Sequence, residues 1–300
     1  MDNNHSISMR FNLNQEEYED INGLEDICYK KQAINLKLEL DFKMNQRGSS
    51  VKNKIMTEFL YYEDHELVGY LGLCNFSRDI VEVSGMVHPE FRMKGIFKKL
   101  YLLAKAEWEK ISPSQVLILC DHTSLSGLAF INSLGAEYSS SEYKMYLNKK
   151  NLKSTCAYGI KLRVATKEDA AELYRQDSIY FGLIEKEAGD KETSELSIHE
   201  DDGSVSYIAE LQGEIIGKIR IDLTDNEGGI YGFGILPDFR GKGYGREVLS
   251  IALDILREKQ LDNIFLEVAT ENKNALGLYE SCGFEEVSVM DYYIYDGGSI

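Results

Sequence analysis

The sequence predicts an α/β protein built as two tandem copies of one domain. A repeat at fixed spacing is the first observation behind this. His88-Pro-Glu-Phe-Arg-Met-Lys-Gly-Ile-Phe97 and Leu236-Pro-Asp-Phe-Arg-Gly-Lys-Gly-Tyr-Gly245 keep Pro, Phe, Arg, Lys and Gly in register 148 residues apart, and the same offset carries Ser133-Leu-Gly135 onto Ser281-Cys-Gly283. The second is that strand-like and helix-like runs follow one another in the same order in both halves. The third is length, since 300 residues accommodate two domains of about 150. The expected domains are therefore 1–150 and 151–300.

Each half opens with a short strand and a helix. Ser6–Phe11 precedes the polar run Asn14–Ile21, and Gly159–Val164 precedes Thr166–Tyr174, where Thr166 with Asp169 three residues on has the form of a capping box. A hairpin follows in each half. Thr57–Tyr62 turns through Glu63–Glu66 into Leu67–Leu73, and Ser206–Leu211 turns at Gln212-Gly213 into Glu214–Asp222. The strands Val81–Met86 and Gly229–Leu236 lead into the repeated loop. Helical runs, the strands Gln115–Cys120 and Asn263–Ala269, a short helix and a tyrosine-rich strand close each half. The basic, aperiodic stretch Asn148–Thr155 is the expected linker. A second loose stretch, Glu185–Gly203, is strongly acidic and reads either as a solvated loop or as a surface attractive to an amine.

Composition narrows the function classes. Hydrophobic residues at 43% suffice for two cores. No apolar run approaches the ~18 residues of a membrane span, and the polar opening Met1-Asp-Asn-Asn-His-Ser is unlike a signal peptide. Five scattered cysteines without Cys-x-x-Cys spacing predict a reduced, cytoplasmic, metal-free protein. A net charge of -17 argues against nucleic acid or an anionic membrane as partner and suits a cationic acceptor such as an amine.

The loop Arg240-Gly-Lys-Gly-Tyr-Gly-Arg246 lies between a strand and a helix in a pattern that holds phosphate. Glycines let backbone N–H groups approach an anion closely, and the following helix adds unpaired N–H donors and the positive end of its dipole. The same features serve an ordinary glycine-rich helix start. The third glycine of a dinucleotide-binding fingerprint is missing, and Gly245 is followed by Arg246 rather than the Lys-Ser/Thr of a P-loop. What remains, Arg-x-x-Gly-x-Gly after a strand, resembles the pyrophosphate loop of the GCN5-related N-acetyltransferase (GNAT) superfamily. Asn272-Lys-Asn-Ala-Leu-Gly-Leu-Tyr-Glu-Ser-Cys-Gly-Phe284 matches a second family pattern, Asn-x-x-Ala-x-x-Leu-Tyr-x-x-x-Gly-Phe.

The resemblance implies α/β (α+β) domains, each a mixed, mostly antiparallel twisted sheet flanked by helices. It also implies acetyl-coenzyme A as cosubstrate. Arg240, Gly241, Lys242, Gly243, Tyr244, Gly245 and Arg246 would hold the diphosphate; Phe233, Ile235 and Leu236 would line the pantetheine arm, with a backbone N–H near Ile235 on the thioester oxygen; Asn272 would touch the cofactor. Tyr279 would protonate the thiolate, although its helical spacing with Ala275, Leu278 and Cys282 also suits a core aromatic. Glu267 shares a strand face with Phe265 and Ala269, apolar neighbours that raise proton affinity, and is the candidate base. Glu267, Asn272, Tyr279 and Asp291-Tyr292-Tyr293 are similar to features of bacterial ribosomal-protein N-terminal acetyltransferases.

The first copy departs from the pattern. At offset 148, Met93 and Phe97 replace Gly241 and Gly245, while Leu119, Ser124 and Ile131 replace Glu267, Asn272 and Tyr279. Phe97 is expected to put a ring where a phosphate approaches, leaving the first domain structural or regulatory and the chemistry in the second. Tandem architecture with one decayed half is similar to mycothiol synthase, without identifying that acceptor. The alternative is an acyl-coenzyme A-binding sensor without turnover.

Overall fold

The computed structural model describes residues 5–45, 55–77, 79–148, 158–181, 203–223 and 226–297, which divide into two compact units. The first is Met1–Glu142 together with Ser288–Ile300, and the second is Tyr143–Val287. These units differ from the halves 1–150 and 151–300 at both ends: residues 143–150 go with the second, and the last segment of the chain goes with the first. The acidic stretch 185–202 and most of the expected linker lie outside the described residues.

In the first unit β1 (His5–Arg10) leads to α1 (Gln15–Gln32), α2 (Leu40–Asn45), β2 (Glu58–Glu63), β3 (Glu66–Ser77) and β4 (Ile80–Val87). Then come α3 (Ile96–Trp108), β5 (Gln115–Asp121), α4 (Leu125–Leu134) and the start of β6 (Glu137–Leu147). Asn14 caps α1 in a reciprocal box with Glu17, satisfying two otherwise orphaned N–H donors. Asp64 and His65, both left-handed at φ 48° and 72°, make a two-residue turn whose twist suits the β2–β3 hairpin. Alternation along these strands builds a core on each face. Phe59, Val68 and Leu71 pack with α3 and α4 residues, while Leu60, Leu67 and Tyr70 pack with Ile21, Leu24 and Cys28 of α1.

The first sheet runs β1-β2-β3-β4-β5-β12, antiparallel except between β4 and β5. Its last member, β12 (Phe284–Ile294), returns from the far end of the chain: Met290–Ile294 pair with Asp121–Leu117. The join is polar as well as apolar. Lys37 Nζ lies 2.9 Å from the Tyr292 hydroxyl and 3.1 Å from Glu142 Oε2, to which that hydroxyl donates at 2.6 Å. Burial pushes the Tyr292 phenol up, keeping it a donor.

The second unit contains β7 (Lys161–Val164), α5 (Ala170–Phe181), β8 (Ser204–Leu211), β9 (Glu214–Leu223) and β10 (Glu227–Ile235). It continues with α6 (Tyr244–Arg257), β11 (Asn263–Ala269) and α7 (Lys273–Ser281). The order is β6-β11-β10-β9-β8-β7. The expected capping box forms between Thr166 and Asp169, but it opens a single 3-10 turn, Lys167–Asp169, before α5. Gln212 and Gly213, at φ 53° and 86°, repeat the two-residue hairpin turn. Strands β7, β8, β9 and β10 again pair antiparallel in succession while β10 and β11 pair parallel, so each unit has the mixed, mostly antiparallel sheet that the resemblance implies.

Candidate active site

The parallel pair of the second unit parts company half-way along. Residues Glu227–Ile230 of β10 are in register with Asn263–Leu266 of β11, and beyond them a gap opens. Its cause is local. Gly232 is left-handed at φ 53°, and the β10–β9 register shifts between Tyr231 and Gly234, so a bulge bends β10 away. Leu236 N–H donates to Ile216 O on β9 at 2.9 Å, and strand alternation therefore turns the Ile235 N–H to the opposite edge, into the gap.

At the end of that gap lies the loop 240–246. Gly241 and Gly243 are left-handed at φ 73° and 87°, and Gly243 is the N-cap of α6 with no side chain to occupy the helix donors. The N–H groups of Gly241, Gly243, Tyr244 and Gly245 have no partner among the described residues, an arrangement that fits an anion. The cations have structural ties too. Arg240 Nε donates to Ile235 O at 2.7 Å, Lys242 Nζ to Asp238 O at 2.8 Å, and Arg246 to Ser281 Oγ at 3.0 Å. Arg240 thus fixes the strand end to the loop that follows it.

The three candidates from the second motif lie on β11 and α7. Glu267 is half-buried on the β11 face opposite the buried Leu266 and Val268, in the stretch beyond the paired register. Asn272 caps α7, accepting from Ala275 N–H at 3.2 Å. Tyr279 is buried, with its ring 6.3 Å from Phe233 and 6.1 Å from Phe284. No described residue hydrogen-bonds its hydroxyl, and burial, with a smaller push from Cys282, raises the phenol to about 12. Tyr279 is thus a core aromatic whose hydroxyl no described residue engages.

Residues 168–284 match the family model described as acetyltransferase (GNAT) family. That stretch, which lies within the second unit, is similar to a GNAT acetyltransferase domain. An N-alpha-acetyltransferase of Sulfurisphaera tokodaii is 27% identical over 104 residues, covering 30% of this chain and 62% of its own. A mycothiol acetyltransferase of Beutenbergia cavernae is 37% identical over 82 residues, covering 27% of this chain and 28% of its own. The chain thus spans under two thirds of the length of either relative. A tandem GNAT protein from the clavulanic acid biosynthesis pathway superimposes with a TM-score of 0.73 at 15% identity, covering 99% of this chain and all of that one, which establishes a shared tandem fold.

Two residues of this GNAT domain that the sequence did not single out converge on the bulge. Lys218, paired in register with Gly234, is buried; its Nζ bonds Asp177 and the Leu173 carbonyl of α5, and burial pulls its ammonium below the usual lysine value. Tyr180 of α5 lies over Gly234 so closely that a Cβ there would sit 2.3 Å from the ring, and Arg240 stacks on the ring at 5.9 Å. Alternation puts Lys218 with Arg220, opposite Ile219 and Ile221, so β9 reads as half solvated. A lysine in an otherwise isoleucine-rich strand was the available signal. Among the described residues no cluster of three or more His, Cys, Asp or Glu is placed to hold a metal, and no helix is long and apolar enough to cross a membrane.

The first unit keeps more of the loop than its residues suggest. Met93 and Gly95 hold φ 62° and 77°, the left-handed pair seen at Gly241 and Gly243, and Arg92 Nε donates to Val87 O as Arg240 does to Ile235 O. Phe97 does not block the donors. It turns inward, 4.8 Å from the Phe130 ring, over Gly85, where a Cβ would sit 3.1 Å from Phe97 Cε2. Residue 85 corresponds to Phe233 and residue 97 to Gly245, so each unit places one ring and one glycine on this strand–helix contact, from opposite sides. The expected obstruction is an exchange of partners that conserves volume.

Proposed function

We propose that the chain is an N-acetyltransferase whose second unit transfers an acetyl group from acetyl-coenzyme A to a primary amine. The observation that carries this reading is the coincidence, in one unit, of unpartnered loop N–H donors, a parted strand pair with the Ile235 N–H turned into it, and the hydroxyl of the buried Tyr279 holding its proton. Bound acetyl-coenzyme A supplies the thioester. The donors of 241–245 hold its diphosphate, Phe233, Ile235 and Leu236 line the arm, and Asn272 adds a contact while capping α7.

Glu267 accepts the proton of the incoming ammonium, directly or through water, so that nitrogen attacks as a neutral amine. The Ile235 N–H stabilises the oxygen as it gains charge. Tyr279 donates to the departing sulfur; its high proton affinity makes it a donor at neutral pH and delays transfer until thiolate charge has developed. The negative net charge favours cationic acceptors, small amines or peptide amino termini.

Thiol release from acetyl-coenzyme A across a panel of small amines and peptides tests the reading. Release with at least one amine, lost in Tyr279→Phe, is expected. Tight acetyl-coenzyme A binding by calorimetry with no release from any acceptor would instead establish a sensor.

A further inference from the structure

The first unit carries a polar constellation that the proposed chemistry leaves unused. His122 follows directly on β5 with its side chain 66% exposed, and its Nδ1 lies 2.8 Å from Oδ2 of Asp291, whose side chain is only 4% exposed. Ser141 Oγ donates to the other oxygen of Asp291 at 2.5 Å, and the Tyr293 hydroxyl reaches Oδ2 at 3.4 Å. The His122 N–H donates to Val289 O at 2.9 Å, fixing the backbone that presents the ring.

A buried carboxylate engaged on both oxygens cannot swing to follow the imidazole, so it dictates the tautomer. With Nδ1–H given to Asp291, the Nε2 lone pair faces outward, and no described residue bonds it. Ser141 is bonded to the aspartate and not to Nε2, so the group is an oriented base rather than a serine nucleophile with its base.

Its place in the fold is where a reacting centre belongs. The parallel pair of this unit also parts: Ile80–Val83 are in register with Gln115–Ile118, after which Ser84–Val87 stay with β3 and Leu119–Asp121 stay with β12. His122 stands at the carboxyl end of β5, past Ile118, the last residue of β5 in register with β4, and ligands of open sheets enter at carboxyl ends where neighbouring strands separate. Here the positions of Glu267 and Tyr279 are held by Leu119 and Ile131, both buried and apolar. The loop at 92–95 keeps the backbone course of its counterpart.

We propose that the first unit is a second acyl-transfer centre in which His122, held by Asp291, is the base. Nε2 takes a proton from an amine nucleophile as its nitrogen bonds to the acyl carbon of a coenzyme A thioester. The carbon–sulfur bond breaks, and the imidazolium returns the proton to the leaving thiolate, so one residue serves as base and then acid. The inference shares with the proposed function only the thioester donor; it uses none of the second unit's reacting residues.

The test follows thiol release from acetyl-coenzyme A by the full chain, with an amine panel that includes hydroxylamine, in wild type, Tyr279→Phe, His122→Gln and Asp291→Asn. Circular dichroism confirms the fold of each variant; His122 is exposed, and its Gln variant decides alone if Asp291→Asn does not fold. The expected result is a subset of amines whose release survives Tyr279→Phe and falls about a hundredfold in His122→Gln, with Asp291→Asn falling likewise. Release that follows Tyr279 for every amine and ignores His122 overturns the inference and leaves the second unit's chemistry standing. Release that depends on His122 but never on Tyr279 does the reverse, and no release with any amine overturns both.

Discussion

Replacing Tyr279 with Phe should move stability and turnover in opposite directions, which separates catalysis from packing. The ring keeps its neighbours Phe233 and Phe284. Only the hydroxyl goes, which no described residue bonds and which is not among the fully enclosed polar atoms. Removing it leaves no partner unpaired and returns at most a desolvation penalty of about 1–3 kcal/mol, of which even 1 kcal/mol raises Tm by about 2–4 °C in a unit of this size. Turnover should fall about 10²–10⁴-fold with the proton donor gone, or about 2.7–5.5 kcal/mol of barrier. The phenol's rise to about 12 adds a third signature. Its folded pKa lies above the unfolded value of about 10, so the associated stability is present below pH ~10 and is lost as pH rises towards ~12; the Phe variant loses less over that window. Thermal melts at pH 7 to 11 and saturating kcat measurements decide it. A variant that melts lower yet turns over within about threefold of wild type would refute the assignment, leaving Tyr279 a core residue.

Glu267→Gln should cut kcat while acetyl-coenzyme A affinity, read by calorimetry, stays unchanged; unaltered turnover at saturating substrate removes Glu267 as the base. Gly234→Ala must displace the Tyr180 ring and should destabilise by about 1–3 kcal/mol, a cost that Tyr180→Ala relieves in the double variant if the 2.3 Å clash is its source. Asp169, held below the usual carboxylate range chiefly by its hydrogen bonds from Arg163, contributes stability above its unfolded pKa of about 3.9 that is lost as pH falls below it. Asp169→Asn should therefore flatten the acid limb of a pH–melting profile, and an unchanged limb would assign it elsewhere. A chain ended after Val287 strips β5 of its partner, and scanning calorimetry should show the first unit's transition shifted down or absent, the second's retained.

Much of this was legible because local chemistry decided it. The turns at Asp64-His65 and Gln212-Gly213, the box at Thr166 and Asp169, and the repeat at 148 residues all rest on residues close in sequence. The cradle was legible for the same reason, since its glycines adopt left-handed angles that few other residues hold. What escaped involved distant partners. Lys218 was passed over because nothing in β9 announces that α5 will cover it. Phe97 looked like an obstruction because its compensation, Gly85, lies on another strand. The destination of Asp291-Tyr292-Tyr293 escaped most completely. The motif resembled part of a catalytic domain, yet its backbone pairs with β5 within the first unit, beside Lys37, Glu142 and Asp121 from far upstream.

That pairing sets a timetable for the protein's making. As the chain leaves the ribosome, β1 to β5 of the first unit emerge before the second unit, but the strand that covers the edge of β5 is translated only after it. For the whole synthesis of the second unit, at about 5–20 residues per second, β5 exposes an unpaired edge able to recruit any extended segment. The two halves therefore cannot mature in the order in which they are made. The unit encoded first is finished last, and a nascent chain stalled before Ser288 carries an incomplete first sheet however well its second one has folded.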